Sequence, residues 1–147
     1  MTVRLQVEPF EPGAELSAFC AGRSETGAVA TFVGIARGEQ GQATALELQA
    51  YPGFTEAEIG RMAAGAAERF GLDDVLIIHR HGEIAPGEAI VFVATASGHR
   101  REAFEACDYL MDYLKSRAPF WKKEYGPAGA RWVEPTARDL DDIARWE

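Results

Sequence analysis

Cysteine, histidine and lysine are all scarce in this sequence, and each scarcity excludes something. The only cysteines are Cys20 and Cys107. Two thiols so far apart offer neither a metal-ligand spacing nor a disulfide framework, and both sit in helical apolar patterns that read as packing. No apolar run is long. The best, AIVFVATA (89–96), is far too short to span a bilayer, and the opening MTVRLQVEPF lacks the apolar core of a secretory signal. The expected setting is cytoplasmic. Positive charge is also in deficit, with a formal net charge of −8 and a pI near 4.9. A general binder of nucleic acid or anionic membrane would carry a net basic face instead. Neither a glycine-rich nucleotide loop nor a serine nucleophile elbow is present.

What is present is an ordinary globular composition, 47% hydrophobic and 26% charged, in a length that suits one domain over residues 1–147. Residues 2–8 alternate as a strand, and 14–21 read as a short helix. TGAVATFVGIA (26–36) is apolar and β-rich, which predicts a central strand, and TALELQA (44–50) is expected to pair with it as an antiparallel hairpin. Residues 54–70 form a helical pattern with Thr55 and Glu58 spaced as a capping box and Gly71 as its stop. DVLIIHRHGEI (74–84) and EAIVFVATAS (88–97) read as strands joined by APG. The longest helix is predicted over about 99–117, ending ahead of Pro119. PFWKKEY and ARWVE read as two last strands, and the acidic tail from Arg138 as a final helix. Hairpins mixed with helices, without regular βαβ alternation, predict an α+β fold of mostly antiparallel strands with one long helix packed on the sheet.

Twelve of the fifteen basic residues are Arg, and the three lysines, Lys115, Lys122 and Lys123, all fall within LKSRAPFWKKE (114–124). A solvated face tolerates either cation. Lysine differs in that its amine changes pKa on burial and can act as base, acid or nucleophile. On a helical wheel with Phe104 at zero, Ala103, Cys107, Leu110, Met111 and Leu114 make the buried stripe, and Lys115 lies at its edge. SGHRR (97–101) opens the same helix. Its free N–H groups with His99, Arg100 and Arg101 suit a phosphate or carboxylate. Arg100 and Lys115 lie roughly 22 Å apart along one helix, so they make either two sites or one site shared between two copies. Arg37 ends a strand at a glycine-bearing loop, where ligand-binding residues often sit, and Gly34 permits close approach. Lys122 and Lys123 alternate along an extended segment, so only one of them can enter a given pocket. His79 and His81 share a strand face without a third metal ligand and read as structural or hydrogen-bonding residues.

GAVATFVGIAR, YPGFTE, the long stretch from IIHRHGEIAPGEAIVFVATASGHRR through MDYLKSRAPFWKKE, and RWVE together resemble the large subunit of molybdopterin synthase, over about residues 26–134. The resemblance implies an α/β-hammerhead-like α+β fold. It also implies a sulfurtransferase that turns cyclic pyranopterin monophosphate into the molybdopterin dithiolene. The sulfur would come from a small ubiquitin-like subunit whose Gly-Gly C-terminus ends in a thiocarboxylate and inserts into the large subunit. The assembly implied is a homodimer within a heterotetramer, with no cofactor, metal, nucleic acid or membrane. The site implied is Arg37, His99, Arg100, Lys115, Lys122, Lys123 and Glu124, with Lys115 and Lys122 catalytic and Phe32 and Met111 lining the pocket. Arg138, after RWVE, is the candidate for reaching a neighbouring active site. The competing expectations are a non-catalytic adaptor that binds a ubiquitin-like tail and, less suited to the acidic charge, an RNA-binding module stacking on Phe120 and Trp121.

Overall fold

The computed structural model describes residues 1–147. Eight strands and four α-helices follow in the order β1 (Thr2–Gln6), α1 (Pro12–Cys20), β2 (Ala28–Ile35), β3 (Ala45–Ala50), α2 (Phe54–Phe70), β4 (Asp74–Arg80), β5 (Gly82–Ile84), β6 (Ala89–Ser97), α3 (Arg100–Arg117), β7 (Phe120–Gly126), β8 (Gly129–Val133) and α4 (Ala137–Ala144). They build two four-stranded sheets, β1-β4-β6-β2 and β5-β3-β7-β8. Only β1 and β4 pair in parallel. The expected α+β class and the long helix on a sheet are both observed. No helix is long and apolar enough to cross a membrane.

The main core forms where α2 and α3 cover one face of the first sheet. Ile59, Ala63 and Ala66 of α2 meet Val75, Ile77, Val91 and Val93 of the sheet and Ala103, Cys107, Leu110 and Leu114 of α3. Leu76, Ile78 and Phe92 point to the other face, where Phe19 of α1 covers them. A smaller cluster of Ala36, Leu46, Leu48 and Ile84 lies under the second sheet. Phe120 packs against both the first and third clusters and so joins the sheets.

Four expectations need correction. The strand at 26–36 is not central: β2 is an edge strand, bonded only to β6. Its residues are apolar on both faces because α3 covers one and α1 the other, so composition reads as central while one edge stays open. Nor do β2 and β3 form a hairpin. β3 pairs with β5 and β7 in the second sheet. The ladder of β2 is already broken by a register shift between Gly34 and Ile35, and the connection up to Ala45 is too long to enforce a tight turn. The capping box at Thr55 is absent. α2 starts from Gly53, and Thr55 is buried, accepting from the Tyr51 N–H at 2.8 Å and donating to the Pro119 carbonyl at 2.9 Å. Gly71 ends the helix as expected, at φ 62°. Finally, β4 stops at Arg80, so His79 and His81 are not two rungs of one strand.

Candidate active site

The two sheets splay apart beneath the C-terminal end of α3 and leave a cavity of about 540 Å³. That volume is in the range of small-molecule sites. Each wall has a sequence reason. β2 delivers Phe32 and then Arg37 as it leaves the first sheet. Gly34 is required between them, because a Cβ there would stand 2.7 Å from the Val91 side chain and 3.2 Å from the Phe32 ring. α3 brings Met111, Leu114 and Lys115 to the rim one turn apart. It ends at Ala118, whose extended φ/ψ of −68° and 130° is the geometry a following proline imposes. β7 then crosses the floor with its alternate residues Phe120, Lys122 and Glu124 facing in. The stretch after β8 closes the last side with Thr136 and Asp139.

Of the residues expected from the sequence, the structure therefore brings together Phe32, Arg37, Met111, Lys115, Lys122 and Glu124. It does not bring in the others. His99 and Arg100 are exposed at the opposite end of α3, where His99 caps the helix without a side-chain bond to it. Lys123 faces the outer side of the second sheet, its ammonium 5.2 Å from the Trp132 ring centre and 5.4 Å from that of Tyr125. Arg138 is exposed on α4 and does not line the cavity. Phe104, used to orient the helical wheel, is 65% exposed, so the buried arc centres on Ala103, Ala106 and Leu110 instead.

The cavity's cations are held in different ways. Arg37 is 80% exposed at its side chain and pairs with Glu39 at 2.8 Å. Lys115 is exposed at the rim, whereas Lys122 is half-buried on the floor. Burial holds the Lys122 ammonium below the usual lysine range, and the charges of Lys115 and Arg37 push the same way; the Glu124 and Asp139 carboxylates oppose them. The lysine withdrawn from water is thus Lys122. Glu124 is itself engaged, accepting from Arg131 at 3.4 Å. Cys107 is buried in the core with its thiol pushed up to about 12, which makes it a packing group and not a nucleophile.

His79 keeps the hydrogen-bonding role read from the sequence, in a place the sequence did not show. It lies in the cavity wall, 7% exposed, and its ring stacks on Phe120 with centroids 4.3 Å apart. Burial holds its pKa down at about 4, helped by the charges of Lys115 and His81 and opposed by a hydrogen bond to the Arg80 carbonyl. Thr136 and Asp139 were also unmarked in sequence, because nothing local shows that the chain after β8 folds back over α3.

Comparison with known proteins places the sequence and the fold in one family. The family model described as MoaE protein matches residues 5–117. The molybdopterin synthase catalytic subunit of Caulobacter vibrioides is 73% identical over 147 residues, covering 100% of this chain and 98% of that one. The solved structure of a molybdopterin biosynthesis MoaE protein from Burkholderia ambifaria superposes with a TM-score of 0.84 at 45% identity, covering 99% of this chain and 97% of the other. A crystal structure of molybdopterin synthase from Staphylococcus aureus superposes with a TM-score of 0.78 at 28% identity, covering 88% of this chain and 95% of its counterpart. By its sequence and its fold, this chain belongs to the MoaE protein family.

Proposed function

We propose that the chain is the catalytic subunit of a cytoplasmic molybdopterin synthase. It transfers sulfur from the C-terminal thiocarboxylate of a small ubiquitin-like subunit to cyclic pyranopterin monophosphate. The observation that carries this reading is the meeting of Lys115, Lys122 and Arg37 in one walled cavity on an otherwise acidic protein. Three cations suit an anionic tail and a phosphate-bearing substrate. The chain needs no cysteine nucleophile, because the sulfur arrives on the partner. Lys115 then serves as the proton-transfer group or as the nucleophile towards the tail's acyl carbon. Either task requires an amine that can shed its proton.

His99 and Arg100 enter this reading through a second copy of the chain. Arg100, Phe104, Met111 and Lys115 share one face of α3, and Phe104 stands exposed near its middle. Two such helices packed antiparallel place the Arg100 of each beside the Lys115 of the other. This supports a homodimer with shared sites inside a heterotetramer.

Replacing Lys115 with Arg tests the role of the amine. The variant is expected to bind the small subunit as tightly as the unaltered chain and to lose at least about 100-fold in turnover. Near-normal turnover in the variant would refute the assignment.

A further inference from the structure

His79 reaches the cavity with its hydrogen-bonding state fixed. Its Nδ1 lies 2.8 Å from the backbone oxygen of Arg80. A carbonyl oxygen can only accept, so Nδ1 carries the proton and donates it. The other nitrogen, Nε2, is then a bare lone pair. No group of the chain donates to it, and the ring lines the cavity. Stacking on Phe120 holds the plane of the ring, and the Nδ1 bond selects its orientation within that plane.

Three of the four carboxylates that line the cavity are already engaged. Glu39 accepts from Arg37, Glu124 from Arg131, and Asp139 from the Thr136 N–H, while Glu134 stands exposed at the rim. Nε2 is an unpaired acceptor on the buried side of a cavity whose lining also carries the Lys115 and Lys122 amines. An anionic ligand oxygen cannot bond to it, since both are acceptors, so its partner must bring an N–H or O–H. The charged groups acting on the ring are Lys115 and His81. Of these, Lys115 is the one that lines the cavity, and its ammonium has three N–H bonds to share.

We infer that His79 is a positioning residue for Lys115: when a ligand closes the cavity to water, Nε2 accepts one N–H of the Lys115 amine and fixes the direction in which the remaining N–H bonds, or the lone pair, point. The inference rests on the reading of Lys115 as the working amine. A flexible four-carbon stem at an exposed rim does not hold an amine in one place by itself, and a misplacement of about 1 Å at a reacting centre costs on the order of 100-fold in rate.

Two measurements test it, and the first needs no turnover. Long-range 1H–15N spectra of the free protein are expected to show His79 protonated at Nδ1 and bare at Nε2 at neutral pH. With the cavity closed by the bound small subunit, the Nε2 resonance is expected to shift, and that shift to vanish in Lys115→Met and to persist in Lys123→Met, where the change lies on the outer face. A proton on Nε2, or no response to Lys115→Met, overturns the inference whether or not the proposed reaction is correct. The second measurement is kinetic. His79→Phe keeps the ring on Phe120 without an acceptor, and His79→Gln restores an acceptor near the position of Nε2. His79→Phe is expected to lose between about 10- and 100-fold in kcat with KM within about twofold of normal, and His79→Gln to recover most of that loss. Unchanged kcat in His79→Phe, equal loss in both variants, or a loss carried by KM contradicts a positioning role. Should His79→Phe fail to fold, His79→Gln together with the spectra decides the matter. An unaltered protein that makes no product refutes the proposed reaction, while the spectra still decide the state of Nε2.

Discussion

At the scale of the residue, the cavity holds a few ionisable groups at different depths. Lys115 stays at the rim, Lys122 is drawn down to the floor, and His79 is sealed into the wall. Sealing a histidine has a consequence for stability. The folded chain holds His79 at about 4 against an ordinary value of 6.5, so between those values the unfolded chain binds the extra proton. The contribution of a neutral His79 is therefore complete above about pH 6.5 and is lost as the pH falls towards 4. The gap corresponds to about 3 kcal/mol, at 1.36 kcal/mol per pH unit. Denaturant melts at neutral pH and near pH 4 are expected to show that loss in the unaltered chain and a much flatter acid limb in His79→Gln. An equally steep acid limb in both contradicts it. The lysine cluster was legible in the sequence because it breaks the chain's own preference for arginine. The place of His79 was not, because a histidine in an apolar strand reads the same whether its ring faces a core or a cavity.

At the scale of the element, local pattern identified most strands and helices but not how they pair. β2 and β3 each look like halves of a hairpin, yet they end in different sheets, and it is this divergence that opens the cavity. The helix starting near Thr55 was legible; the job of Thr55 was not. Its hydroxyl ties the Tyr51 N–H to the Pro119 carbonyl, linking the start of α2 to the segment that leads from α3 into the floor of the site. Thr55→Val keeps the shape and strands both backbone groups. It is expected to cost about 1–3 kcal/mol of stability, whereas Thr55→Ser costs less than half of that. Denaturant melts of the two variants check this, and equal stability for both would show that the hydroxyl contributes nothing. The final helix is held in a way its acidic sequence conceals. Trp146 donates its indole N–H to Asp112 at 2.7 Å, and Ser116 donates to the Asp139 carbonyl at 3.0 Å, which fastens α4 to α3 beside the cavity.

At the scale of the whole molecule, one copy presents its cations at both ends of a single helix, and the proposed sharing of sites between two copies uses both. Lys115→Ala and Arg100→Ala homodimers are each expected to be nearly inactive. After the two are unfolded and refolded together, half the dimers are mixed and each mixed dimer has one intact site, so about a quarter of normal activity is expected to return. Activity that stays at the sum of the parents would mean that each site is built from one copy alone. The family membership rests on matches along most of the chain, but the reaction itself is tested most directly by reconstitution. This protein is combined with a thiocarboxylated small subunit and cyclic pyranopterin monophosphate, each omitted in turn, and molybdopterin is assayed by its fluorescent oxidation product. Product that requires all three components is the expected result. No product, with a matched small subunit firmly bound, would contradict the account and leave the cavity as a tail-binding adaptor.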